Sequence, residues 1–147
     1  MKTTTYLRQI ERYDRLIKNK RTEIERLEAL LETIPALPYN KDKVMSSGSQ
    51  DKIGDDVAIL LDDKSELETL LQQYSEKRKH IIEQIESMPD NRHLTVLSLV
   101  YLEYKELWEV PNETNYTYTY VKNLHSAALK DFEKRYGKEY LKTCYQK

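Results

Sequence analysis

The stretch from Thr117 to Lys130, TYTYVKNLHSAALK, gathers hydroxyl, amide and ammonium side chains at spacings that share one side of a helix. If a helix opens at Thr117, the outward residues are Tyr118, Thr119, Lys122, Asn123 and Ser126, with Lys130 farther along. Entering a major groove, such a helix touches bases with its N-terminal residues. Asn123 can then bond adenine bidentately, Thr119 can meet a thymine methyl, and Lys122 can reach guanine or phosphate. Lys130, Lys134 and Arg135 lie where phosphates would run. The competing reading of the same residues is a solvated helix face with no ligand.

Other chemistry finds little support. His80, His93 and His125 are the only histidines, and none has metal-ligand spacing. Asp55-Asp56 and Asp62-Asp63 lack the alternating ligands and glycine of a calcium loop and read as a solvated face. Ser46-Ser47-Gly48-Ser49 is too short to cradle a phosphate and reads as linker. No nucleophile motif or isolated carboxylate pair stands out, so neither an enzyme nor a cofactor is expected. The 12 tyrosines invite a base-stacking reading. However, Tyr6, Tyr13 and Tyr74 fall on helical seams, and Tyr101 and Tyr104 read as globule core. His125 is expected to pack and to bond a backbone carbonyl.

The elements that must position these residues are helical. The chain has 147 residues, 33% of them charged, with only 3 Gly and 4 Pro. This argues against a turn-rich β fold and for long, solvent-facing helices. No apolar stretch approaches a membrane span. The single Cys144 and the absence of a visible leader point to a reduced, cytoplasmic protein. Asn112-Glu113-Thr114 and Asn115-Tyr116-Thr117 match the glycosylation triplet, which means nothing without export. Net charge is −1, but residues 116–147 carry seven basic and three acidic side chains.

Tyr6, Ile10, Tyr13, Ile17, Ile24, Leu27, Leu31 and Ile34 step by fours and threes up to Pro35, with Lys20 in one place. A second register runs Ile53, Val57, Leu60, Lys64, Leu67, Leu71, Tyr74, Arg78, Ile81, Ile85, Met88. Two such seams predict a coiled-coil-like antiparallel hairpin over 1–88, with a flexible loop near 36–52. The seams could instead pair between chains, as a homodimer. Lys64 and Arg78 within the seam need ionic partners or a route to water.

Pro89-Asp90-Asn91 closes the second helix, and Asp90 or Asn91 can cap the next. Tyr116–Val121 alternates like a strand, but a lone strand has no partner in a helical chain. Thr117 suits an N-cap, and Val121, Leu124, Ala128, Phe132 and Tyr136 form an inward face that Gly137 is expected to end. Two short elements and a turn before an exposed helix start predict a helix-turn-helix over 89–137, followed by a tail, 138–147.

The stretch SMPDNRHLTVLSLVYLEYKELWEVPNETNYTYTYVKNLHSAALKDF resembles the C-terminal module of sigma-factor region-four proteins. It is more closely similar to phage late-gene transcriptional activators of the RinA/ArpU type. Tyr101-Leu102-Glu103, Val110, Tyr116-Thr117, Val121, Leu124-His125 and Ala128-Leu129 fall in that family's order without a gap. VMSSGSQDKIGDDVAILLD, upstream, is similar to the family's linker and second coiled helix. Tyr104 stands where the family usually has Gly, and Thr114 replaces a core aliphatic. Pro111 takes a small-residue position and so should begin a short helix. The resemblance implies an all-α regulator that binds promoter double-stranded DNA in a bacterial host cell, through Thr117, Tyr118, Thr119, Lys122, Asn123, Ser126 and Lys130. Its hairpin would dimerise or contact RNA polymerase or a sigma factor. The alternative is a protein-interaction module with a degenerate helix-turn-helix.

Overall fold

The computed structural model describes residues 1–34 and 49–141, which are helical with no strand among them. Helix α1 spans Thr3–Thr33 and α2 spans Ser49–Glu86. Helix α3, Asn91–Leu97, runs on into a π-helical turn, Ser98–Leu102. Helix α4 spans Val110–Thr114 and α5 spans Tyr118–Tyr140. The expected loop is shorter at its far end, because residues 49–52 already belong to α2; the rest of it lies outside the described residues, as does Cys144.

The chain divides into two compact units, one of Met1–Arg15 with Glu76–Lys147 and the other of Leu16–Ser75. Helix α2 ends at Glu86, just before Pro89, and both sides of that turn belong to the first compact unit. Its core explains why. Tyr6, Leu7 and Ile10 of α1, Ile81 and Ile85 of α2 and Met88 just beyond it share one buried cluster with Leu97, Tyr101, Ala128, Phe132 and Tyr140. Leu7, off the seam, is fully buried, so α1 is packed on two sides there. In this unit the start of α1 runs antiparallel to the end of α2: Tyr6 donates to Gln84 Oε1 at 2.8 Å, and Asp14 pairs with Arg78.

Gly137 does not end α5. It is buried within the helix, where an added Cβ would lie 3.0 Å from Leu141 Cδ1. Glycine inside a helix costs about 1 kcal/mol relative to alanine. Contacts made by the last turns of α5 offset this cost. Tyr140 is buried and stacks on Tyr6 with ring centroids 4.2 Å apart. Thr3 donates to Glu133 at 2.6 Å and lies 2.9 Å from the Tyr140 hydroxyl. Gln84 donates to Glu139 at 2.8 Å. Residues 138–140, expected as tail, therefore help build the core.

Among the described residues of the second unit, Ile17 and Ile24 are the buried apolar ones. Lys64 is placed 3.3 Å from Glu28 and 3.8 Å from Glu68. Both seam charges, Lys64 and Arg78, thus have the carboxylate partners that their position demands.

Candidate nucleic-acid interface

Helix α3 opens at Asp90, whose carboxylate accepts from the Arg92 N–H at 2.9 Å. Val96, Leu97 and Tyr101 are buried, and α3 packs against α5. The chain leaves the π turn through Tyr104, at φ 57°, a left-handed conformation that glycine adopts more readily. The Tyr104 hydroxyl donates to Asp14, which also pairs with Arg78. Tyr104 is 41% exposed and is not the core residue that sequence suggests; its side chain spans the surface to reach α1.

Helix α4 begins at Val110, with Pro111 in its first turn, where the missing N–H breaks no bond. Val110 is fully buried and anchors it. Thr114 is half-buried and turns its hydroxyl back to the Val110 carbonyl at 2.9 Å. Asn115 then takes φ 56°, a conformation that asparagine tolerates better than most residues. Thr117 is extended, and its hydroxyl accepts from the Tyr120 N–H at 3.2 Å, capping α5. The aromatic alternation has a local use: Tyr116 meets Tyr120 edge-on, centroids 4.9 Å apart, bracing the turn against the first helical turn.

Val121, Leu124, Ala128 and Phe132 are buried, as their spacing predicts. On the other side Thr117, Tyr118, Thr119, Lys122, Asn123, Ser126 and Lys130 are all exposed. The structure therefore brings every candidate contact residue onto one face. Lys122 Nζ sits 5.0 Å from the Tyr118 ring centroid, a cation–π contact worth about 0.5–1 kcal/mol at an exposed site. It limits the wandering of the lysine beside Asn123.

Sequence reasoning missed Arg92 and Tyr120. Arg92 Nη1 donates to the Tyr120 hydroxyl at 3.0 Å, placing a second cation beside the start of α5. A contact between residues 28 apart on different helices leaves no periodic trace. Arg135, by contrast, is engaged elsewhere, its Nε donating to Asp131 at 3.1 Å. Burial raises the Asp131 pKa, but hydrogen bonds from His93 and Arg135 outweigh it and hold the carboxyl below its usual range. Among the described residues, His125 bonds no backbone carbonyl. Its Nε2 lies 3.0 Å from the Tyr101 hydroxyl. Burial, and then the charge of Arg8, push the His125 pKa down, while burial pushes the Tyr101 pKa up. Both shifts favour the uncharged pair, a neutral imidazole beside a protonated phenol.

Residues 33–133 match the family described as "Protein of unknown function (DUF1492)". The chain belongs to this family. The DUF1492 match takes in α2, α3, α4 and α5 as far as Glu133, and with them the whole candidate face. No curated protein and no solved structure matches the chain. Among the described residues of this DUF1492 chain, no helix is long and apolar enough to cross a membrane.

Proposed function

We propose that the protein is a phage or prophage transcription regulator, an activator of late genes in the host cytoplasm, binding promoter DNA through α5. The observation that supports this most is the Thr117 cap. It starts a helix whose apolar side is buried and whose polar side, Tyr118 to Lys130, is open to a partner. Helix α4 and the left-handed Asn115 before it support reading α5 as the second member of a helix-turn-helix. Arg92 and Lys122 supply cations beside its positive dipole end, where phosphates are favoured.

The experiment is binding of the full chain to duplex fragments from the gene's own upstream region across a salt series. Affinity falls steeply with salt, and Lys122→Ala lowers the slope by about one counterion while weakening all sequences alike. Asn123→Ala costs roughly 1–3 kcal/mol and relaxes preference at one base pair. Absence of salt-dependent binding to any such fragment would reject the reading. A second reading, an interaction module for RNA polymerase, a sigma factor or another regulator, draws on Trp108, which is 64% exposed just before α4.

A further inference from the structure

Among its described residues, the unit Leu16–Ser75 buries little of its apolar surface. The α2 repeat residues Val57, Leu60, Leu67 and Leu71 are only half-buried. Leu30, Ile59 and Leu61 are 51%, 57% and 51% exposed. Leu27, Leu30, Leu67 and Leu70 line a groove of about 470 Å³. Scattered exposed leucines need no explanation, but convergence on one groove marks a face for association.

The rim of the groove identifies the chemistry of its occupant. Asp63 and Glu66 flank it from α2, and Arg26 and Glu23, the latter paired with Lys20 at 3.4 Å, flank it from α1. From Gly54 to Ser75 the chain carries six carboxylates, on Asp55, Asp56, Asp62, Asp63, Glu66 and Glu68, and one cation, Lys64. Lys64 is already neutralised by Glu28 and Glu68. The surface is therefore leucine-floored and acid-rimmed.

The geometry points to a basic amphipathic helix of a partner protein docking in the groove lined by Leu27, Leu30, Leu67 and Leu70. Leucines at heptad spacing on that helix fill the groove. Its flanking lysines or arginines meet Asp63 and Glu66, which steers the encounter and fixes register. A second copy of this chain fits poorly. A two-fold contact presents the same patch from both sides, bringing two acid-rimmed grooves together. Duplex DNA is repelled by the same charges. The groove shares no residue with the α5 face, so this proposal and the DNA-binding reading stand or fall separately.

The test uses the full chain and two short synthetic helices with identical leucine positions, one carrying lysines on its polar face and the other glutamates. Fluorescence anisotropy is expected to show the lysine helix binding, more weakly at higher salt, and the glutamate helix not binding. Leu30→Gln, at a half-exposed site, and the pair Asp63→Asn with Glu66→Gln should each weaken binding about tenfold, or about 1.4 kcal/mol. Circular dichroism checks that each variant stays folded. Equal binding of both helices, or lysine-helix binding unchanged by these variants, overturns the proposal. So does sedimentation as a dimer that Leu30→Gln converts to monomer, since a second copy would then own the groove.

Discussion

The Tyr101 hydroxyl and His125 Nε2 lie 3.0 Å apart, with their rings stacked at a centroid distance of 5.9 Å. This pair joins the π turn to α5 across two partly buried rings. Burial, and then Arg8, depress the His125 pKa below its ordinary value. The unfolded chain therefore binds a proton more readily than the folded one. The stability that this group contributes is complete above about pH 6.5 and is lost as pH falls through the folded value. His125→Gln, which can still accept from Tyr101 but cannot titrate, should flatten that acid limb. Denaturant midpoints measured against pH for both proteins check this; parallel curves would refute it.

Thr117 sets the orientation of α5 and so of every candidate contact. Thr117→Ala removes the acceptor for the Tyr120 N–H and should cost about 1 kcal/mol, whereas Thr117→Ser or Thr117→Asp should hold stability near the parent. Thermal melts of the three variants decide it. A loss shared equally by all three would mean that the cap contributes nothing.

Tyr104 combines an unfavourable backbone with a favourable hydroxyl. Tyr104→Phe keeps the left-handed φ and discards the bond to Asp14, for a loss of about 1 kcal/mol. Tyr104→Gly discards the bond too, but also removes a backbone penalty of roughly 1 kcal/mol. The glycine variant should therefore be the more stable of the two in chemical denaturation. The reverse order would show that φ 57° carries no strain here.

Tyr6 gives an alkaline counterpart. Burial first, and then the charge of Glu139, raise its pKa to about 12. The folded state thus holds the phenolic proton where the unfolded state gives it up, so stability is complete below about pH 10 and declines toward 12. Tyr6→Phe should remove part of this decline while losing the bond to Gln84. Tyrosinate absorbance during an alkaline titration will report the parent's Tyr6 ionising late, together with unfolding. Ionisation of all tyrosines near their ordinary pKa in a still-folded protein would contradict it.

The all-α class, the cap at Thr117 and the inward face of α5 were legible in the sequence because each rests on local chemistry. A hydroxyl three residues before a backbone N–H, and apolar residues at helical steps, are short-range signals. The partners of Lys64 and Arg78 were legible as a need but not as identities, since pairing depends on register across two helices. Gly137 misled for a physical reason: its usual stop signal yields when Tyr140, one turn on, has a buried place against Tyr6. Tyr104 misled because aromatic residues near a π turn look like core in one dimension. The Arg92–Tyr120 contact had no one-dimensional trace at all.

The buried cluster shared by Tyr6, Ile85, Phe132 and Tyr140 has a practical consequence for anyone dissecting the molecule. The family match runs only from residue 33 to 133, so a fragment excised at those limits would discard Tyr6, Leu7, Ile10 and Tyr140. Phe132 would then be left against solvent at a frayed end. Such a fragment should be insoluble or molten, although it retains every residue of the candidate face.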